Sequence, residues 1–476
     1  MRGIRIFLYV VSWLLISRFR CEAQQAWTLQ QCIDYALSHN ISVKQSELNS
    51  EASKESYQQS IAGFFPSING NAGHNYYFGR SIDPTTNQYT TSEVRSNNFS
   101  LSGSLPLFEG FQLQNSLKQS KLNYRSSQYD LEKIKNDISL SVVTYYLQVL
   151  YNRELLKSTQ EQVNASAQQR DRTKRMYELG SVSKGNLLDL EAQYSSDEVR
   201  LVNAQSQLDQ SILSLTQLLE LDSVKDFTIV QPVVEVPSLA VQQADLNTIY
   251  STALMNQPDI KSYEYRVMSA EKSLSIARGG RYPRLSLGGS LSTNYSTAQV
   301  RPVKYIYGDP QAIGQTSAFD TVFSLLPSVR VITENKPFKD QFDDNLSKSI
   351  GFNLSIPIFN GWSTKTNIAH SRINLQQSKL TLQSTKKTLY KSVQQAIADA
   401  NAAFKKYEAT DKSVQALQEA FNYNDQKYNL GLISTYDYIL SKNNLTKSRA
   451  DLLQAKYDYI FRIKILDFYQ GKPLAF

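Results

Sequence analysis

Apolar residues recur at every third or fourth position over one long stretch of the chain, and this spacing is typical of a helix. The positions that define it are Leu131, Ile134, Ile138, Val142, Tyr145 and Val149. The stretch runs from Gly110 to Tyr177 without an internal glycine or proline, and at roughly 1.5 Å per residue it would be about 100 Å long. Leu179 and Gly180 then predict a helix end, and Ser183 predicts the N-cap of a returning helix. The pattern therefore predicts a very long helical hairpin.

The sequence pattern of the long hairpin occurs twice in the chain, with an offset of 251 residues and no gap. Residues 105–110 return as residues 356–361, and residues 177–183 return as residues 428–434. The returning helices of both copies carry apolar residues at every seventh position, namely Tyr194, Leu201, Leu208 and Leu215, then Leu445, Leu452, Tyr459 and Leu466. A seven-residue period indicates left-handed supercoiling against neighbouring helices. The repeat itself predicts one structural unit built twice.

A shorter helical pattern precedes each long hairpin, in residues 24–65 and again in residues 245–282 with an offset of 217. Each copy ends at a proline, Pro66 or Pro283, because proline disfavours helical backbone in the residue before it. Beyond each proline the apolar residues alternate with Ser, Asn and Gly, which predicts two strands of about ten residues per copy. Such strands are long enough to cross a bilayer around a wet interior. A half-buried sheet of a soluble protein would alternate in the same way.

These landmarks divide the chain into successive segments. A signal peptide at 1–23 precedes helices at 24–65, a β-hairpin at 66–107 and a helical hairpin at 108–221; a linker at 222–244 leads to helices at 245–282, a second β-hairpin at 283–358, a second helical hairpin at 359–470 and a tail at 471–476. The second β-hairpin carries a long irregular loop at 299–345, rich in Pro, Tyr, Asp and Ser. Such a loop is expected at the outer mouth of a membrane barrel.

The N-terminal residues predict that the protein is exported. Arg2 and Arg5 precede an apolar run and a cleavage site after Ala23, which is the pattern of a secretory signal peptide. Cys21 leaves a lipidated N-terminus as the alternative. After cleavage only Cys32 remains, so no disulfide can form within the chain. No later run is apolar enough for a membrane helix, and the formal charge of +8 for the full chain requires no nucleic-acid partner.

The four predicted strands cannot close a membrane barrel by themselves. An open sheet edge in lipid leaves backbone groups without hydrogen-bond partners, and each such group costs several kcal/mol. The edges must therefore meet other copies of the chain. Two copies would give eight strands and a barrel filled by its own side chains, whereas three copies would give twelve strands and an opening. The amphipathic helical hairpins also need neighbours, because one hairpin alone cannot bury both of its flanks.

Both halves present the same landmarks in the same order. The strand-to-helix junctions run from Pro106 to Gly110 and from Pro357 to Gly361, and both hairpin tips read Leu-Gly-x-x-Ser. In this paired order the chain resembles the TolC family of outer-membrane efflux ducts over nearly all of its mature length. The resemblance implies a mainly α fold with a β-barrel part, as a homotrimer with a twelve-stranded barrel in the outer membrane and a twelve-helix barrel in the periplasm. It also implies docking to a periplasmic adaptor and to an inner-membrane pump of the RND or ABC type.

The resemblance also assigns roles to the two tips. It implies adaptor docking by Leu179, Gly180, Ser181, Val182 and Ser183, and by Leu430, Gly431, Leu432, Ile433 and Ser434. The structural alternative is that these residues are only turns and caps.

An acidic ring at the entrance is implied by Asp437, which matches a family position where acids narrow the closed channel. In the first copy Asn186 stands at that position, and Asp189 lies three residues further on. Capping of a helix N-terminus is the alternative role for Asp437. Tyr428 matches a family latch position, but Ile433 stands where the family has arginine, so the latch itself is left open.

No catalytic, cofactor or metal site is predicted. His39, His74 and His370 are the only histidines and lie on unrelated segments, and the chain has no metalloprotease, hydrolase or phosphate-binding motif. The predicted function is a passive exit duct of a tripartite efflux pump or of a type I secretion system. A periplasmic or surface coiled-coil scaffold without a pore is the alternative from another class. Within transport, the alternative is a porin that needs no adaptor.

Overall fold

The computed structural model describes residues 26–82, 87–90, 93–223, 227–232 and 245–474. Its helices are α1 (Leu29–His39), α2 (Ile41–Ala62), α3 (Gln112–Glu178), α4 (Lys184–Leu218), α5 (Leu246–Asn256), α6 (Pro258–Gly279), α7 (Phe338–Asp344), α8 (Ser363–Asn429) and α9 (Thr435–Tyr469). Its strands are β1 (Ser67–Tyr77), β2 (Ser81–Ile82), β3 (Tyr89–Thr90), β4 (Val94–Glu109), β5 (Arg284–Ser296), β6 (Val300–Gln315), β7 (Thr321–Asn335) and β8 (Ser347–Ser355). The predicted signal peptide, most of the predicted linker and the last two residues lie outside the described residues.

The long helices come in two pairs with matching bounds. Both ends of α8 are offset from those of α3 by 251 residues, and the same offset relates α9 to α4. Both ends of α5 and α6 are offset from those of α1 and α2 by 217 residues. Within the predicted seven-residue stripes, the buried members are Leu208, Leu215, Leu445, Tyr459 and Leu466. Every helix in the described part of the chain is too short or too polar to span a bilayer.

Two compact units make up the chain, one comprising residues 1–54, 122–268 and 376–476, the other residues 55–121 and 269–375. The described part of the first unit is helical and has two clusters of buried apolar side chains. The first cluster includes Ile33, Tyr146, Leu150, Leu215 and Leu219, and the second includes Ile249, Ile260, Val393, Ala400 and Tyr459. Each cluster therefore joins a short helix of one half to long helices of the first unit.

A short piece of the predicted linker is held against the first unit. Trp27 and Ile229 form a parallel β-bridge, in which the Trp27 amide donates to the carbonyl of Thr228 at 2.8 Å. The buried Tyr146 hydroxyl on α3 donates to the carbonyl of Val230 at 2.6 Å. This piece thereby supplies hydrogen-bond acceptors to the Trp27 amide and to the Tyr146 hydroxyl.

The second unit contains an antiparallel sheet in the order β1-β4-β5-β8. Residues that lie directly opposite each other in such a sheet share a face. Leu101 lies opposite Leu291, and Leu287 lies opposite both Leu105 and Phe352, which defines an apolar face. The other face carries small polar residues such as Asn69, Ser102, Ser290 and Ser349, which lie opposite one another across all four strands. The predicted alternation therefore gives a sheet with one apolar and one polar face.

In the described residues the outer edges of this sheet are unpaired, and most of its apolar face is uncovered except at Phe99, against which Phe338 and Phe342 of α7 pack. Ile350, Phe352 and Leu354 on β8 are exposed, as is Ile68 on β1. Within the described residues, β1 pairs only with β4, and β8 pairs only with β5. Neither edge strand is protected by a second neighbour, which is the arrangement expected of a sheet that continues into another chain.

The segment 299–345 corrects one expectation, because it is not irregular. β6 and β7 pair as an antiparallel hairpin, and α7 follows them. Pro302 and Pro310 suggested a loop, but both lie beside register shifts in the ladder, where a missing amide donor is tolerated. The segments between these shifts are rich in tyrosine, valine and isoleucine, which favour strands.

The two strand-to-helix junctions bend through left-handed backbone. Gly110 and Gly361 have φ values of 61° and 59°. A Cβ added to Gly110 would lie 2.4 Å from the carbonyl oxygen of Gly279, whereas a Cβ added to Gly361 would meet nothing within 4 Å. The first junction therefore requires glycine for space as well as for conformation.

We expect Gly110→Ala to destabilise the protein more than Gly361→Ala. The second change adds only the left-handed strain of roughly 1–2 kcal/mol, whereas the first adds a backbone clash to the same strain. Thermal unfolding in detergent, followed by circular dichroism, measures both. Equal losses for the two variants would contradict the close approach at Gly110.

Candidate functional site

Both hairpin tips end their first helix with the same backbone motif. At the first tip the Gly180 amide donates to the carbonyl three residues earlier at 2.8 Å, and the Ser181 amide donates to the carbonyl five residues earlier at 2.8 Å. Gly431 and Leu432 repeat these two bonds at 3.0 and 2.9 Å. Both glycines adopt positive φ values, 73° and 71°. This is the Schellman motif, and it confirms the predicted helix ends.

Each returning helix begins at the predicted serine. The Ser183 hydroxyl accepts a hydrogen bond from the Asn186 amide at 3.3 Å, and the Ser434 hydroxyl accepts one from the Asp437 amide at 3.1 Å. These bonds satisfy donors that the first turn of a helix leaves unpaired. The N-caps of α4 and α9 are therefore confirmed.

The tips expose large apolar side chains that the turns do not need. Leu179, Leu430 and Leu432 are 81%, 73% and 70% exposed, while Val182 and Ile433 are half-buried. The backbone motif accounts for the glycines and the caps account for the serines. Neither accounts for three leucines in water, and exposed apolar clusters of this kind mark interaction sites.

Asp437 lies within a helix cap. The Ser434 hydroxyl donates to Asp437 Oδ2 at 2.7 Å while it accepts from the Asp437 amide, so the aspartate holds the capping serine in place at the start of α9. Asp437 and Asp189 are both exposed. The capping role of Asp437 is thus observed within a single chain. The acidic ring stays a prediction, because it requires several chains.

Tyr428 contacts its own hairpin in this structure. Its ring stacks on the ring of Tyr438 with centroids 4.5 Å apart, and its hydroxyl lies 3.4 Å from the Thr435 hydroxyl. The two hairpins are joined near the tips by another pair, in which Arg172 Nη1 donates to Asn429 Oδ1 at 2.7 Å. Sequence reasoning identified Tyr428 as a latch candidate but missed Arg172.

A buried polar cluster joins the two hairpins further from the tips. Asp197 on α4 is fully buried and lies 3.9 Å from the ammonium nitrogen of Lys442 on α9, which is also buried. Lys442 donates to the Ser166 hydroxyl of α3 at 2.6 Å, and Ser166 donates to Asp197. Three helices therefore meet at one carboxylate.

Further amides and one guanidinium complete the cluster. Gln193 Nε2 donates to Asp197 Oδ1 at 3.0 Å and to Asn443 Oδ1 at 3.1 Å. Arg200 Nη1 lies 3.3 Å from Asp197 Oδ1. Burial lowers the pKa of Lys442, while Asp197 acts in the opposite direction, because the carboxylate favours the charged ammonium. The cluster thus holds a charged pair away from water with most of its hydrogen bonds satisfied.

The second copy of the repeat lacks this charge. The offset of 251 residues maps Gln162 and Asp197 onto Ser413 and Ser448. In the first copy Gln162 Nε2 donates to Asp197 at 3.3 Å, and in the second the Ser448 hydroxyl donates to Ser413 at 3.3 Å. A neutral contact between α8 and α9 therefore corresponds to the contact between α3 and α4, so the packing of two helices within one hairpin does not require a buried carboxylate.

Sequence reasoning missed the Asp197–Lys442 cluster, although one signal was available. Asp197 lies seven residues from Leu190 and from Ala204, and all three are buried. A charged residue inside a buried seven-residue stripe is unusual, because a lone buried charge is costly. Its partner on α9 could not be named from the sequence.

Comparison with known proteins adds independent findings. A sequence model described as outer membrane efflux protein matches residues 32–220 and 249–462. The chain is 22% identical over 443 residues to the toluene efflux pump outer membrane protein TtgC of Pseudomonas putida, covering 90% of this chain and 81% of that protein. It is 21% identical over 466 residues to the outer membrane protein TolC of Escherichia coli, covering 95% of this chain and 84% of that protein.

Solved structures share the fold. The CmeC outer membrane channel of Campylobacter jejuni superposes with a TM-score of 0.73 at 18% identity, covering 94% of this chain and 87% of that chain. The open state of the MtrE outer membrane channel of Neisseria gonorrhoeae superposes with a TM-score of 0.70 at 19% identity, covering 94% of this chain and 89% of that chain.

These comparisons define the class of protein as an outer-membrane channel. Because the family model matches most of the chain, the chain belongs to the outer membrane efflux protein family. The predicted resemblance is therefore confirmed, as is the predicted location in the outer membrane with the helical part in the periplasm.

We expect Asp197→Asn to destabilise the protein by about 3–5 kcal/mol, because it leaves Lys442 buried without its counter-charge. The double variant Asp197→Asn with Lys442→Met should recover most of that loss. Thermal unfolding of the single and double variants measures the coupling.

Glu408→Gln is the control, since it removes only the exposed Lys412–Glu408 pair, and such pairs contribute about 0–1 kcal/mol. A double variant as unstable as Asp197→Asn alone would show that the two buried charges are not coupled.

Proposed function

We propose that the protein is the outer-membrane exit duct of a tripartite efflux pump or of a type I secretion system. Three copies close a twelve-stranded barrel and a twelve-helix barrel, and substrates pass through without energy input from this chain. An inner-membrane pump and a periplasmic adaptor supply the energy and the connection. The observation that carries the proposal is the four-stranded sheet, whose two faces differ in polarity and whose two edges are unpaired in the described part of the chain.

The sheet supports a water-filled barrel in lipid. Its exposed apolar face suits hydrocarbon, and its face of Ser, Asn and Gly suits a wet interior. Ser290 and Ser349 lie on that polar face with their hydroxyl oxygens 2.7 Å apart, which places small polar groups where a lumen would be. Open edges in hydrocarbon would be costly, so the same sheet favours closure by further copies.

The tips support docking to an adaptor. Leu179, Leu430 and Leu432 are exposed beside rigid turns, and apolar side chains on fixed backbone bind partners with little loss of conformational entropy. Asp437 lies in the first turn of α9, and Asp189 lies six residues into α4. In a trimer their repeated carboxylates would favour cations at the entrance.

Single-channel recording in planar bilayers tests the duct. We expect purified protein to produce stepwise currents, because a twelve-stranded barrel leaves an aqueous opening. A coiled-coil scaffold would pass no current and would replace the proposal.

The same recordings test the acidic ring. Asp437→Asn should lower the preference for cations, measured as a smaller reversal potential in a salt gradient. An unchanged reversal potential would reduce Asp437 to its capping role.

We expect replacement of Leu179, Leu430 and Leu432 by Ser to abolish pump-dependent efflux while single-channel conductance persists. Each leucine buried on docking contributes roughly 1.5 kcal/mol or more, so the loss of all three should lower adaptor affinity about 1,000-fold or further. Efflux of a fluorescent dye from cells that contain the cognate pump measures the loss.

Val202→Ser is the matched control, because Val202 is an exposed apolar residue on α4 outside the tip. Unchanged efflux in the leucine variant would favour a porin that works without an adaptor.

A further inference from the structure

The β6–β7 hairpin presents an unusually apolar surface to water. Both strands are exposed along nearly their whole length. Near the turn between them, Phe319, Leu325 and Leu326 are among the most exposed apolar side chains of the described residues, and Leu325 is fully exposed. A long strand pair with free edges and apolar side chains is a site for association with another chain.

The two faces of the hairpin differ in charge. Between residues 304 and 307 the ladder is regular, with Tyr305 opposite Val331 and Tyr307 opposite Val329. These four residues share one face and carry no charge. The other face carries Lys304 opposite Ile332 and Ile306 opposite Arg330. Copies of the hairpin can therefore meet through the neutral face, whereas contacts between the basic faces would be repulsive.

The base of the hairpin is fixed by a buried contact. Gln341 on α7 is fully buried. Its side-chain oxygen accepts from the Ser296 amide at 2.9 Å, and its side-chain nitrogen donates to the Ser296 carbonyl at 2.9 Å. The Phe338 ring packs against Tyr295 with centroids 5.3 Å apart. The hairpin thus leaves β5 from an anchored base, at the end of the sheet opposite to its junctions with the helices.

The length of the hairpin brings copies within reach of one another. β6 has 16 residues and at about 3.3 Å per residue extends roughly 50 Å. A barrel of twelve strands spaced about 4.8 Å apart and tilted by about 40° would be roughly 25 Å across. Each of three hairpins that start from one rim of the barrel would therefore be longer than the opening is wide.

We propose that the hairpins of three copies pack through the face of Tyr305, Tyr307, Val329 and Val331 and form a cap over the outer mouth of the channel. The inference rests on the proposed trimeric duct. Each copy supplies one third of the cap, and in the described residues of a single chain all four side chains of this face are exposed. The basic face with Lys304 and Arg330 then points away from the channel axis.

Disulfide cross-linking of neighbouring positions tests the cap. Tyr307→Cys and Ile306→Cys place a thiol on opposite faces of the same strand, so each is the matched control of the other. Cys32 is fully buried, so the introduced thiol is the reactive one. Under mild oxidation of the purified trimer, we expect severalfold more covalent dimer from Tyr307→Cys than from Ile306→Cys.

Conductance provides the second measurement. Replacing the four neutral-face residues by Thr keeps a strand-forming side chain at each position, and it should raise single-channel conductance because the cap loosens. A trimer that conducts but shows equal cross-linking at both positions, or none, overturns the cap and leaves the duct intact. That result would also follow if lipid or another protein covered the neutral face. A protein that neither forms trimers nor conducts overturns the duct, and the cap with it.

Discussion

Backbone hydrogen bonding at the edges of the four-stranded sheet is the constraint on which the rest of the molecule depends. Within the described residues every strand of the sheet meets an antiparallel neighbour, but the outer edges of β1 and β8 have no second strand. In hydrocarbon those edges would leave a row of amides and carbonyls without partners, at several kcal/mol each. Closure by further copies, as we propose, would remove that cost. It would also place the apolar face of the sheet toward lipid and the face of small polar residues toward water.

In the helical part, polar residues lie within the buried stripes. Asp197 and Lys442 are the extreme case, because they form a buried ion pair between α4 and α9. In the second copy, Ser413 and Ser448 stand in place of Gln162 and Asp197 and make a neutral contact. An ion pair of this kind adds little stability over an apolar contact, but a shifted partner would leave its charges unpaired. We infer that the pair fixes the rotation of α9 against α3 and α4.

Local features were the ones that the sequence predicted best. The helix ends at Gly180 and Gly431 and the caps at Ser183 and Ser434 depend on residues within one turn, so the sequence alone determines them. The alternation of apolar and polar residues predicted which side chains share a face of the sheet, because a shift of one residue would exchange the two faces. The β6–β7 hairpin was missed because its prolines suggested a loop, whereas in the fold they lie beside register shifts. The pairing of Asp197 with Lys442 joins residues 245 positions apart, and no local pattern specifies it.

The contacts between the two hairpins grow weaker toward the tips. At the tips Arg172 donates to Asn429 at the surface, where water and salt screen the interaction. Ile433 occupies the position at which the family resemblance would place an arginine, so no cationic side chain stands at that position of the second tip. Asp197 lies 13 residues into α4, about 20 Å along the helix from its start, and there the contacts are buried and charged. Separation of the tips therefore breaks few interactions, while separation at Asp197 would expose an uncompensated charge. If the entrance opens by movement of the second tip, we expect the hairpins to stay joined at the buried cluster of Asp197 and Lys442. They should separate only between that cluster and the tips.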